Sequence, residues 1–278
     1  MDEIIKQALA EDIGDGDHTS LSTIPENATG RAELVIKEDG VVAGIELAKK
    51  VFEAVDPTTK FIALMDDGQK VKKGDIVFTV SGKSISILTA ERVALNFLQR
   101  MSGIATSTRE MADMLDGLNT KLLDTRKTTP NLRSLEKMAV KAGGGYNHRF
   151  GLFDMIMIKD NHVDFAGGIK PAIEATTNYL AKKNLHLKIE IEVRDFNELD
   201  EVLEIGGIDR IMLDNFTVDG LRTALNKIEG RYETEASGGI TIDNVRSYAE
   251  TGVDFISSGA LTHHIKSLDM SLKAVHNL

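Results

Sequence analysis

From residue 121 onward the chain repeats one unit, a short apolar run followed by a helical stretch. The runs are "KLLDT" (121–125), "MIMIK" (155–159), "KIEIEV" (188–193), "RIMLD" (210–214), "ETEAS" (233–237) and "VDFIS" (253–257). Parallel strands need long crossovers, so recurrent strand–helix units predict a parallel sheet. Six units between residues 121 and 257 fit an incomplete α/β barrel, with a doubly wound open sheet as the alternative. One helix between them is sharply bounded: "NLRSLEKMAVKA" (131–142) runs from Pro130 at its first turn to a stop at Gly143.

The first hundred residues have another rhythm. "RAELVIK" (31–37) alternates Ala32, Leu34 and Ile36 against polar neighbours, as a strand does. "IELAKKVFEAV" (45–55) sets Ile45, Ala48, Phe52 and Val55 on one helical face. "KFIALM", "DIVFTVSG" and "SISIL" read as further strands, and "DIGDGD" (12–17) as a capped turn, because it lacks the alternating ligands and closing glutamate of a calcium loop. The expected organisation is an N-terminal α/β sandwich-like domain over residues 1–105, an α/β barrel catalytic domain over 106–265 and a C-terminal helical tail over 266–278.

Composition narrows the function. At 278 residues and 42% hydrophobic, the chain can bury one or two sizeable cores. A net charge of −10 argues against nucleic acid or an anionic membrane as the main partner. There is no cysteine, hence no disulfide framework, thiolate nucleophile or cysteine metal cage. The first residues, "MDEIIKQALAEDIG", are acidic and amphipathic, unlike a signal or transit peptide. The expectation is a soluble cytoplasmic protein.

In α/β barrels the chemistry sits at the C-terminal ends of the strands. Here the six runs end in Thr125-Arg126-Lys127, in Lys159-Asp160-Asn161-His162, near Glu192, in Asp214-Asn215, in Ser237-Gly238-Gly239 and in Ser258-Gly259. A barrel built only for stability has no need of such ends. Sorted by charge, the first two units bring cations, joined by His148 and Arg149 from "GGGYNHRFG". Residues 124–162 hold seven Lys or Arg against four Asp or Glu, contrary to the acidic trend elsewhere. The next two bring the carboxylates Glu192 and Asp214, and the last two bring small residues that let backbone N–H groups approach a phosphate.

Each feature has a plainer explanation. Arg126 and Lys127 could be solvated loop charges, Lys159 could snorkel to solvent, Glu190 and Glu192 could be ordinary salt-bridge partners, and Asp214 could cap the next helix. His18, His162, His186, His264 and His276 stand singly. The argument rests on the set.

Taken together, the stretches "LAEDIGDGDHTS" (9–20), "ERVALNFLQRMSGIAT" (91–106), "LLDTRKTTPNLRSLEKMAVKAGGGYNHRFGLFDMIMIKDNH" (122–162), "IEIEV" (189–193), "IMLDNF" (211–216), "EASGGIT" (235–241) and "GVDFISSGALTHH" (252–264) resemble the quinolinate phosphoribosyltransferase family, in order and over nearly the whole chain. The resemblance implies transfer of phosphoribose from phosphoribosyl pyrophosphate to quinolinate with decarboxylation, dependent on Mg2+, in de novo NAD biosynthesis. It also implies a homodimer, or a higher oligomer, in which Arg92 reaches the neighbour's site. Arg126, His148, Arg149, Lys159 and Arg92 would surround the two carboxylates of quinolinate, with Thr125 beside them. Lys127 would lie between quinolinate and pyrophosphate, and Lys127, Glu192 and Asp214 would be the catalytic residues. Glu192 and Asp214 would meet the ribose hydroxyls and, directly or through water, the magnesium. Ser237, Gly238, Gly239, Ser258 and Gly259 would hold the 5′-phosphate, with His263 near the phosphates. The rival readings are a phosphoribosyltransferase for another aromatic acid, a phosphosugar lyase or isomerase, and a non-catalytic sensor of pyridine carboxylates.

Overall fold

Residues 1–275 are described by the structure, a computed structural model; His276 lies outside them. In chain order the elements are α1 (Asp2–Ile13), α2 (His18–Thr23), β1 (Thr29–Ile36), β2 (Gly40–Val41), α3 (Ile45–Val55), β3 (Lys60–Ala63), β4 (Lys70–Val71), β5 (Ile76–Lys83) and α4 (Ser84–Asp113). Then come β6 (Lys121–Leu123), α5 (Arg133–Ala142), β7 (Ile156–Ile158), α6 (Asp160–Ala166), α7 (Ile169–Lys183), β8 (Ile189–Val193) and α8 (Phe196–Ile205). The last are β9 (Arg210–Asp214), α9 (Val218–Ile228), β10 (Glu233–Ser237), α10 (Val245–Ala249), β11 (Phe255–Ser257), α11 (Ala260–His263) and β12 (Met270–Ala274). No described helix is long and apolar enough to cross a membrane.

Two compact units emerge. One comprises Met1–Arg109, Thr129–Gly144 and the chain from His264; the other comprises Glu110–Thr128 and Gly145–His263. The first is built on an antiparallel sheet in the order β12-β1-β5-β3, with a small β2-β4 ribbon. The inward residues of β1, Leu34 and Ile36, are fully buried, as the alternation of "RAELVIK" requires. Phe52 of α3 meets Phe78 of β5 edge-on at 6.1 Å between centroids, and Phe61 of β3 completes the cluster. Asp17 caps α2 by accepting the Ser20 N–H at 3.0 Å, which makes "DIGDGD" the capped turn expected of it.

Two local expectations are corrected. "SISIL" (84–88) opens helix α4 and is not a strand. Its period-two look is outweighed by the longer stripe Ile87, Ala90, Ala94, Leu98 and Met101, all buried at helical spacing. The expected helical tail is likewise a strand: β12 pairs antiparallel with β1, from Ala32 opposite Ala274 to Ile36 opposite Met270. Met270 and Leu272 face inward at period two, and the free edge of β1 supplies the partner that the local sequence does not reveal.

The second unit confirms the parallel sheet. All six predicted runs form strands, in the spatial order β6-β11-β10-β9-β8-β7, and every ladder between them is parallel. Strand order follows chain order from β7 to β11, and β6 closes onto β11. No ladder among the described residues joins β6 to β7. Residues 145–147 run along the other edge of β6 instead: the Tyr146 N–H donates to Leu122 O (2.8 Å) and the Asp124 N–H to Tyr146 O (3.0 Å). This is an incomplete α/β barrel. Its apolar residues Ile189, Ile191, Val193, Ile211, Leu213, Ala236 and Ile256 are buried on one face of the strands. The alternating positions Glu190, Glu192, Arg210, Asp214, Glu233, Glu235, Ser237 and Ser257 lie on the other, so the lumen is polar.

Candidate active site

The predicted strand-end residues of the second unit lie at the C-terminal ends of its parallel strands, whereas Arg92 belongs to the first unit. The end of β6 and the loop after β11 are tied together. Thr262 Oγ1 donates to Lys127 O at 2.7 Å, and the Ser258 N–H donates to Leu123 O at 3.1 Å. A side chain at Gly259 would strike the Lys127 and His263 side chains, so Lys127, Gly259 and His263 are neighbours. Ser258 Oγ donates to Ile240 O at 2.8 Å, joining the loops after β10 and β11. Thr125 Oγ1 accepts the Lys127 N–H at 3.0 Å, which turns the cationic pair at the strand end.

Lys159, at the end of β7, donates to Glu192 Oε2 at the end of β8 at 2.8 Å. The lysine is thus ion-paired at the strand end while its side chain stays partly exposed. Asp214 ends β9 and caps no helix, because Thr217 caps α9. Its Oδ2 accepts from the Asn215 side chain at 2.6 Å, and the Asn215 N–H donates to Ser237 O at 2.8 Å, so this turn is fastened to β10. Gly238 follows at φ +95°, with the Asn215 side chain filling the space of any Cβ. Only glycine fits there without a shift of the Asn215 side chain and backbone.

Neither Arg126 nor Lys127 has a carboxylate partner among the described residues, and both are exposed. Burial, with the nearby Arg126 charge, lowers the pKa of the half-buried Arg149. Two guanidinium groups held this close repel each other, an arrangement that an anion relieves. Arg149 Nη1 donates to Met155 O at 3.2 Å, which directs the side chain along the open edge of the barrel. Arg92 belongs to the first unit, exposed on α4.

His148 differs from its expected place as an open donor. Its side chain is 5% exposed, and both ring nitrogens meet protein atoms. Nε2 lies 3.0 Å from Glu190 Oε2 and 3.3 Å from Glu235 Oε2, on β8 and β10. Nδ1 accepts the Arg149 N–H at 2.6 Å, and the His148 N–H donates to Asp124 Oδ1 at 2.8 Å. Behind Glu235 stands Arg210, whose Nη1 is 3.1 Å from Glu235 Oε2. Burial opposes a charged ring, but the close Glu190 and Glu235 carboxylates raise His148 from 6.5 to about 9. Burial and the Glu235 charge raise Glu190 to about 7. For Glu235 burial works upward, yet the His148 hydrogen bond and its charge hold this carboxyl below its usual range. A ring protonated on both nitrogens would set two donors, Nδ1–H and the Arg149 amide, against each other. The geometry therefore favours a proton on Nε2, with the second proton of the trio on Glu190; the charge left on Glu235 faces Arg210, which it shares with Glu233.

Sequence reasoning passed over Glu235 and Arg210 and weighed Glu190 only as a salt-bridge partner. The available signal was charge at alternating positions of strands that, in a parallel sheet, are usually apolar on both faces. His148, Glu190 and Glu235 are also the one trio of potential metal ligands that converge among the described residues. Arg210, shared with Glu233, already faces Glu235 of this trio. Glu192 and Asp214, carboxylates on adjacent strands at the rim, fit a hard divalent cation that takes its other ligands from water and substrate phosphates.

Comparison with known proteins shows the family. Residues 17–102 match the family description "Quinolinate phosphoribosyl transferase, N-terminal domain", and residues 104–273 match "Quinolinate phosphoribosyl transferase, C-terminal domain". The chain is 50% identical to "Nicotinate-nucleotide pyrophosphorylase [carboxylating], chloroplastic" of Arabidopsis thaliana, over 97% of this chain and 81% of that protein. It is 43% identical to "Probable nicotinate-nucleotide pyrophosphorylase [carboxylating]" of Bacillus subtilis, over 97% and 92% of the two chains. The crystal structure of NadC from Streptococcus pyogenes superposes with a TM-score of 0.92 at 39% identity, covering 99% of this chain and 97% of that one. With both domains matched and these identities spanning the chain, the protein belongs to the quinolinate phosphoribosyltransferase family.

Proposed function

We infer that the protein transfers phosphoribose from phosphoribosyl pyrophosphate to quinolinate with decarboxylation, giving nicotinate mononucleotide, pyrophosphate and carbon dioxide. One observation supports this above the others: the rim holds uncompensated cations at Arg126 and Lys127 together with Glu192, Asp214 and the Ser-Gly loops. A dianionic pyridine and a sugar phosphate need that combination.

Arg126, Arg149 and Lys159 bind the quinolinate carboxylates as charge-assisted donors. Lys159 leaves Glu192 to do so, freeing that carboxylate for the ribose hydroxyls. Ser237, Gly238, Gly239, Ser258 and Gly259 hold the 5′-phosphate. Lys127, held by Thr262 beside His263, faces the pyrophosphate. The pyridine nitrogen attacks ribose C1 as the bond from C1 to the pyrophosphate oxygen breaks. The oxocarbenium-like transition state is met by positioning and by charge, with no protein nucleophile. The C2 carboxylate then leaves as carbon dioxide; its bonding electrons stay on C2, stabilised by the adjacent pyridinium, and C2 takes a proton. Glu192 and Asp214 would hold Mg2+, which neutralises the pyrophosphate.

We further propose a homodimer in which Arg92 completes the neighbouring site, and a cytoplasmic location, which cell fractionation checks. Incubation with quinolinate, phosphoribosyl pyrophosphate and magnesium is expected to release carbon dioxide and pyrophosphate in equal amounts. Turnover of nicotinate but not quinolinate would instead support a phosphoribosyltransferase for another aromatic acid.

A further inference from the structure

We infer that Glu235, backed by Arg210, is a positioning residue: it holds the His148 ring, and the ring holds the backbone of Arg149 where the substrate carboxylates bind. The inference rests on the reading of Arg149 as a carboxylate donor given above.

The need for such a brace lies in the topology. Arg149 is carried by the stretch between α5 and β7, at the seam where no ladder joins β6 to β7. Sheet hydrogen bonds fix residues 145–147 to β6 and then stop. From there the His148 N–H is taken by Asp124, and the side chain turns into the lumen between Glu190 and Glu235. The continuous chain of contacts is Arg210 to Glu235 (3.1 Å), Glu235 to His148 Nε2 (3.3 Å), and His148 Nδ1 to the Arg149 amide (2.6 Å). Strand β9 anchors one end and the substrate-facing residue the other. A group held this way is pre-organised for its ligand. Arg210 opens β9 at its N-terminal end and Glu235 lies at the middle of β10, so neither stands at the C-terminal rim where the substrate binds. Their effect on the reaction must pass through His148.

The test compares Glu235→Leu, Glu235→Gln and Arg149→Ala in the full-length enzyme, with the melting temperature of each. Gln keeps an acceptor for the Nε2 proton; Leu does not. Glu235→Leu is expected to raise KM for quinolinate about tenfold, leaving KM for phosphoribosyl pyrophosphate within about twofold. Glu235→Gln should recover most of that loss. A folded Glu235→Leu enzyme with an unchanged quinolinate KM overturns the inference if Arg149→Ala raises that KM. An unchanged KM in Arg149→Ala overturns instead the reading of Arg149 itself. If Glu235→Leu does not fold, imidazole nitrogen NMR of the unmodified enzyme decides. A bare Nδ1 with the proton on Nε2 supports the brace, and a proton on Nδ1 overturns it.

Discussion

At the scale of the residue, the rim works because opposite needs are kept apart. Arg126 has no carboxylate partner, whereas Lys159 is neutralised by Glu192 until substrate competes for it. Arg126→Ala is therefore expected to lower kcat/KM for quinolinate about a hundredfold. The exposed position of Arg126 predicts an unchanged melting temperature, and near-normal turnover would remove this arginine from the site. Gly238 tests the phosphate end. With φ at +95° and Asn215 packed against it, Gly238→Ala must distort the loop after β10. The expected result is a higher KM for phosphoribosyl pyrophosphate with the quinolinate KM unchanged, read by steady-state kinetics with each substrate varied in turn. The residues at the strand ends were legible in the sequence because barrel topology assigns them a place before any contact is known. Glu235 and Arg210 were not, because a carboxylate inside a strand has meaning only once its partners from other strands are known.

At the scale of the element, local period decided most of the structure and failed where two periods overlap. The six runs of the second unit are short and bounded by polar residues and glycine, and each became a strand. "SISIL" alternates like a strand over five residues, but it is the first turn of a 30-residue helix whose buried stripe runs on to Met101. The last strand shows the opposite failure: nothing local announces β12, which exists because β1 has an edge to pair. Its contribution is measurable. Met270 is 3% exposed, opposite Ile36. Met270→Ala is expected to cost about 2–4 kcal/mol in urea denaturation, as deletion of a buried side chain does. A cost below about 0.5 kcal/mol, typical of surface positions, would mean that the strand contributes little to the first unit.

At the scale of the whole molecule, two properties follow from how charge is distributed. Arg92 is exposed on α4, next to Glu91 of its own unit. If it serves a second subunit, mixing Arg92→Ala chains with Lys159→Ala chains should restore about a quarter of the wild-type activity, because one of four random site combinations is intact. No restoration would mean self-contained sites. The second property is the proton that the lumen keeps. In the unfolded chain His148 would titrate near 6.5 and both glutamates near 4.5; folded, the close Glu190 and Glu235 carboxylates overcome burial and bring the ring to about 9. Whichever of the ring and Glu190 carries the extra proton, the folded trio releases it at higher pH than the unfolded chain does. The folded state thus binds more protons between these limits, and stability must fall as pH rises. The His148 share is complete below pH 6.5 and is lost as pH passes through about 9, and the Glu190 share is complete below 4.5 and is lost as pH passes through about 7, each with a slope of at most about 1.4 kcal/mol per pH unit for one proton. Glu235, held below its usual range, stays ionised across this window and does not add to it. Urea denaturation at pH 6.5, 7.5, 8.5 and 9.5 measures the slope, and His148→Gln should flatten it by removing one of the two groups that share the proton. Equal slopes in the two proteins would place the lost proton elsewhere in the molecule.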